Sequence, residues 1–312
     1  MDSDDMGSEA GARPFLSAVS AIIRRMTLDR SVLAGSGAPV PFDPDLLIAI
    51  RRRLDEICDA ARQPSPAAGN PFAAVRDHSE PRELAKTLAA WGDRAEPAVP
   101  ELVRLLAVRP IVAAPALAAI GQPTVECVAA LRRVVETADG GEAVHARLAA
   151  ARAVRSLTGS AEALLAAVRF GLTTPSKDPD DRAAAADAAT ELPDRADHAD
   201  LLTLLLLRAL QAIPVPTPSL PAHQARLKLG RALWLFTGRP EYVIEVLRST
   251  LDLAGEDSTA WTVARAAELA ADLAPDLGPA ARELVPGLEA ALADPVSAGA
   301  AERALKSPYF RK

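Results

Sequence analysis

Aromatic side chains are scarce in this chain of 312 residues: Phe, Trp and Tyr together make up 4%. A core built around large rings is therefore excluded. So is a large β-sandwich, because the β-branched and aromatic runs bounded by turns that mark strands are missing. Cysteine is nearly absent. Cys58 and Cys127 lie in separate segments without metal-ligand spacing, and both read as small buried hydrophobes. The four histidines (His78, His145, His198 and His223) are scattered, each near a predicted helix start, and no metal site or cofactor is expected. A basic excess is also lacking. Acidic residues number 41 against 35 basic ones, a formal net charge of −6, which argues against nucleic acid as the partner. The greasiest run, Leu201 to Leu210, is about half the length a bilayer span needs. The opening residues MDSDDMGSEA have no apolar stretch of the secretory kind. A cytoplasmic chain without a membrane segment is the expectation.

What is present is alanine and leucine at helical spacing, in a sequence 49% apolar. The stretch RLAAARAVRSLTGSAEALLAAVRFGL, from Arg147 to Leu172, returns 79 residues later as RLKLGRALWLFTGRPEYVIEVL from Arg226. Arg147-Leu148 matches Arg226-Leu227, Arg152 matches Arg231, and Leu157-Thr158-Gly159 matches Phe236-Thr237-Gly238. Each copy is a helix, a stop at Thr-Gly, then a second amphipathic helix. The offset fits two helical hairpins of a repeat array.

In chain order, residues 1–13 are polar and acidic and read as a disordered tail. Residues 14–70 form an N-terminal helical segment. FLSAVSAIIRRM is apolar at helical spacing, and after a Pro- and Gly-rich break Asp43-Pro44 supplies an N-cap and first-turn proline for a second helix. Its arginines, Arg51, Arg52 and Arg53, read as a solvated face with Asp55, Glu56 and Asp59 in helical reach. Residues 71–312 hold about six hairpins and a capping helix, the first hairpin opening at Pro81. The last apolar residues of the first helices are Trp91, Ile120, Leu157, Leu192, Phe236 and Leu273, spaced 29 to 44 residues apart. The longest spacing holds IPVPTPSLP, Ile213 to Pro221, whose prolines forbid helix. Leu157 and Phe236 are expected to be buried between stacked hairpins. Gly92, Gly121, Gly159 and Gly238 follow helix ends, where left-handed dihedrals are common. Pro97, Pro123, Pro240 and Pro279 then open the next helices.

The pattern of Arg, small residues, Leu-Gly and a following amphipathic helix resembles HEAT repeats, in the short form called PBS-lyase HEAT-like. RLAAARAVRSLTG and RLKLGRALWLFTG are similar to HEAT proteins of high-GC bacteria. The resemblance covers about Pro81 to Leu305. It implies an all-α fold, an α-solenoid of stacked antiparallel helix pairs coiling as a right-handed superhelix. It also implies that the arginines opening first helices (Arg82, Arg147, Arg182 and Arg226) bond a neighbouring carboxylate or turn carbonyl, and that second helices line the concave surface.

On those second helices stand Arg104, Arg133, Arg169, Arg208 and Arg248, one per helix and late in each. They are the candidate partner-binding residues, a basic row suited to an acidic protein or peptide. Helix dipoles favour cations at such ends in any case, by about 0.3–1 kcal/mol. Glu101, Glu126, Glu162, Glu241, Glu245 and Glu283 lie in the same helices. Trp91 and Trp234 read as core fillers, whereas Trp261 stands at a helix start and is a candidate for exposure. Pro218-x-x-Pro221 reads as a rigid connector. No nucleophile elbow, phosphate-binding glycine loop or carboxylate–histidine constellation occurs, so no catalytic residue is assigned. The expected function is a non-catalytic protein-interaction scaffold or adaptor. The alternative is a HEAT-like enzyme of the DNA glycosylase or bilin-lyase kind.

Overall fold

Helix is the only regular structure among the described residues of the computed structural model, which are 41–62, 71–176, 178–193, 195–214, 219–255 and 259–310. The fold is all-α. The acidic tail, the helix expected from Pro14, and Pro218 lie outside these residues. The chain divides into two compact units, Met1–Cys127 and Val128–Lys312.

In the first unit, α1 (Pro44–Arg62) packs on α2 (Pro71–Trp91), on α3 (Val99–Leu106) and on the 3-10 turns Gly92–Ala98; α4 (Pro110–Ile120) packs on α2 and α3. The helix α1 starts as the sequence predicts, with Asp43 Oδ1 accepting from the Asp45 amide at 2.9 Å. Its buried face is Leu47, Ile50, Leu54 and Cys58. The ring of Phe42, just ahead of the helix, meets Trp91 edge-on at 5.3 Å between centroids. The arginine triplet differs from expectation. Arg52 bonds the local partner Glu56, whereas Arg51 bonds Glu101 of α3, and Arg53 bonds Glu56 and also Glu80 of α2. The triplet therefore fastens α1 to its neighbours. The helix expected to open at Pro81 begins at Pro71 and carries Pro81, buried, within it.

Two second helices also begin differently from expectation. Pro97 and Pro279 lie inside 3-10 turns, Gly92–Ala98 and Gly278–Leu284, and the α-helices start after them at Val99 and Val285. Each start carries a further proline, Pro100 or Pro286. Two missing donors so close together leave the tighter i→i+3 pattern as the local solution.

The division between the units falls inside α5 (Val125–Thr137). The second unit continues with α6 (Ala143–Thr158), α7 (Glu162–Thr173), α8 (Pro179–Thr190), α9 (Ala199–Gln211), α10 (Leu220–Thr237), α11 (Glu241–Leu251), α12 (Ala260–Leu277), α13 (Val285–Ala291) and α14 (Ala298–Lys306). Consecutive helices pair as hairpins. In addition α6 packs on α8, α8 on α10, α10 on α12 and α12 on α14, while α7 packs on α9. Alanine makes these approaches close: Ala183, Ala185, Ala186, Ala188 and Ala189 of α8 are all buried. Where α7 crosses α8, Gly171 leaves no room for a side chain. A Cβ there would lie 2.7 Å from Ala185 Cβ and 2.9 Å from Val144 Cγ1.

The Thr-Gly stop has the same chemistry in both copies. Gly159 and Gly238 take positive φ, 75° and 66°, and their amides donate at 2.8 Å to Arg155 O and Trp234 O. The Thr158 and Thr237 hydroxyls donate back to Val154 O and Leu233 O and accept from the Ser160 and Arg239 amides. Leu157 and Phe236, however, are only half-buried; the fully buried positions are Val154 and Leu233, one turn earlier. Trp91 is buried as expected, and so are Ile120, Leu192 and Leu273 at the matching positions.

Leu148→Ala and Leu233→Ala, which open cavities in enclosed sites, should each cost about 2–5 kcal/mol in urea unfolding. Leu157→Ala should cost distinctly less, and equal losses at all three would contradict the burial just described. Gly171→Ala should destabilise the fold even though alanine is the better helix former by about 1 kcal/mol, because the new methyl group overlaps two neighbours.

Candidate functional site

All five arginines proposed from the sequence are exposed, and each sits on a different helix. Their surroundings differ. In the first unit Arg104 is bound to the carboxylate of Asp55 on α1. In the second, Arg248 of α11 is bound to Glu283. Arg133 of α5, Arg169 of α7 and Arg208 of α9 have no carboxylate within ion-pair distance among the described residues. The row thus contains two guanidiniums with carboxylate partners and three without. Of the glutamates in these helices, Glu126, Glu162, Glu241 and Glu245 are exposed, and Glu283 serves Arg248. Glu101 is buried and accepts two bonds from Arg51, at 3.0 and 2.8 Å. That hydrogen bond raises the Arg51 pKa above the ordinary arginine value.

The arginines at first-helix starts fall into two groups. Arg147 donates from Nε and Nη2 to Ala138 O, at 2.9 and 2.8 Å, and from Nη1 to Val135 O at 2.8 Å. Both carbonyls close the end of α5, where backbone acceptors have no partner in the helix. The guanidinium lies 3.8 Å from the centroid of the Phe170 ring, a cation–π contact. Arg226, the matching residue of the second copy, is buried and reaches back to Ile213 O at 3.5 Å, just beyond the end of α9. Burial lowers the pKa of both. Arg82 and Arg182 are exposed and half-buried, respectively, and show no such bond among the described residues. The two best-matched copies therefore use this arginine to close the preceding helix.

A buried carboxylate that the sequence did not single out lies between α6 and α8. Asp181 accepts from Ser176 Oγ at 2.5 Å through Oδ2, and His145 Nε2 lies 3.6 Å from Oδ1. Ser176 thus satisfies Oδ2, whereas Oδ1 has no hydrogen-bond partner among the described residues and only faces His145. A nucleophile–base relay needs the serine to bond the histidine instead. The Ser176 bond ties the start of α8 to its own loop. Cys58 and Cys127 are buried, and burial pushes both thiol pKa values up, which keeps them protonated. No group of His, Cys, Asp and Glu among the described residues is placed to hold a metal ion, and no described helix is long and apolar enough to cross a membrane.

The tryptophans separate by environment. Trp91 is buried, Trp234 is half-buried against the core of the second unit, and Trp261, in the first turn of α12, is 74% exposed. Removing the α5-closing bonds by Arg147→Met should lower stability by about 2–4 kcal/mol, since it strips charged donors from two carbonyls. Arg169→Ser should stay within about 0.5 kcal/mol. Comparable losses in urea unfolding would show that Arg169 is structural as well.

Set against known proteins, the chain matches no family model, no curated protein and no solved structure.

Proposed function

We propose that this chain is a cytoplasmic protein-interaction scaffold of HEAT-like character. Its hairpins stack as a solenoid, and the second helices present Arg133, Arg169 and Arg208 to an acidic segment of another protein. The observation that carries this reading is the electrostatic state of those three residues. The chain holds more acid than base, and the two outer members of the row are bound to carboxylates. Three exposed guanidiniums on successive second helices nevertheless form no ion pair among the described residues. Support for the stacked arrangement comes from the packing of first helix on first helix and from the Thr-Gly and arginine–carbonyl bonds shared by the two copies.

The geometry suits an extended ligand. Packed helices lie about 8–10 Å apart, and a peptide in polyproline II geometry advances about 3.1 Å per residue with three residues per turn, which sets every third side chain on one face. Carboxylates at every third position would therefore meet successive arginines. Such contacts are exposed and must weaken as salt shortens the Debye length, about 8 Å at physiological strength.

The test is fluorescence anisotropy with a labelled peptide carrying Glu at every third position, at low and high salt. The triple variant R133S/R169S/R208S should bind about tenfold more weakly, from three exposed pairs worth roughly 0.2–1 kcal/mol each, with helicity and melting unchanged. Unfolding of the variant would make the arginines structural, and undiminished binding would place the working surface elsewhere. Tighter, arginine-dependent retention of DNA than of peptide would favour the glycosylase-like alternative.

A further inference from the structure

A second surface lies on the first helices of the second unit and shares no residue with the arginine row. A groove of about 520 Å³ crosses the N-terminal parts of α10, α12 and α14. Its apolar lining is Leu220, Trp261 and Val296, which are 40%, 74% and 42% exposed. Tryptophan commonly buries about 150–250 Å², so leaving one this open forgoes a large stabilisation. The core does not require it, because Ala260 and Ala264 beside it already fill the buried side of α12.

The charged rim is built in a particular way. Arg265 Nη1 donates to Glu268 Oε2 at 2.8 Å, and Arg303 Nη2 donates to Glu268 Oε1 at 3.5 Å. Two guanidiniums share one carboxylate, each through a single nitrogen. A guanidinium has five N–H donors, so most of the fork on each arginine is free to take an oxygen from outside. The rim carries one positive charge more than it neutralises, on a chain whose overall charge is −6.

From these features we propose that the groove docks a short segment of a partner protein in which an apolar side chain is flanked by one or two carboxylates. The apolar anchor lies on Trp261 between Leu220 and Val296, and the carboxylates take the free donors of Arg265 and Arg303. Aromatic and arginine side chains together are the pairing that dominates binding energy at protein interfaces. A second copy of this chain in two-fold contact fits poorly, because it sets two patches with the same excess of positive charge against each other. A small metabolite fits poorly as well. Such ligands are held in clefts that bury about 70–90% of their surface, and Trp261 stands open.

The test uses the full chain and a displayed library of random twelve-residue peptides. Selected peptides should share an apolar residue within a few positions of Asp or Glu. Trp261→Ser and the double variant R265S/R303S should each weaken them by about tenfold or more, with helicity unchanged. Replacing the acidic residues of a selected peptide by Lys should abolish its binding. The variant R133S/R169S/R208S should bind the same peptides normally. The proposal is overturned if no peptide is enriched over the Trp261→Ser chain, if the enriched peptides are basic, or if the row variant loses them. Sedimentation that shows a dimer dissolved by Trp261→Ser would overturn it too, by making a second copy the occupant.

Discussion

The structure rests on how closely its helices can approach. A buried alanine removes little apolar surface from water, and hydrophobic stabilisation scales with that area at about 25 cal/mol per Å². With so few large side chains, the deficit has to be met by the density of contacts between backbones. The run of buried alanines in α8 and the exclusion of even a methyl group at Gly171 are two forms of that one requirement. The ends of helices leave backbone acceptors without a partner in the helix, and side chains donate hydrogen bonds to several of them. Arg147 supplies three such bonds to the end of α5, and the Thr-Gly stops supply them at α6 and α10.

Features that depend on neighbours in sequence are legible in the sequence itself. The left-handed glycines, the Asp43 cap and the all-helical character follow from local stereochemistry and a period near 3.6. Leu157 and Phe236 were misread because they are the last apolar residues on the right face, yet they stand in the terminal turn where the neighbouring helix covers them less. The 3-10 starts at Gly92 and Gly278 were missed for a different reason. A single proline marks a helix start well, but a pair three or seven residues apart changes which backbone donors remain.

Long-range partners were not legible at all. The sequence offers Arg51 and Arg53 acids within one helical turn, but Arg51 reaches Glu101, 50 residues away, and Arg53 adds Glu80, 27 residues away, to its local partner Glu56. The same blindness affects the candidate site. One arginine per second helix can be read from periodicity, whereas which of them are neutralised depends on Asp55 and Glu283. The approach of His145 to Asp181, the reach of Arg303 to Glu268, and the company Leu220 and Val296 keep with Trp261 join residues from separate helices, and no spacing rule points to them.

An interface made of methyl groups is asymmetric in the changes it admits. Glycine at a buried position of α8 subtracts only one methyl group of contact, whereas valine or leucine must push two backbones apart along their whole crossing. Variation in such a chain is therefore channelled outward, onto faces where size is free and onto the connections between hairpins. An array built this way can acquire a new binding surface, one outward side chain at a time, while its interior stays nearly monotonous.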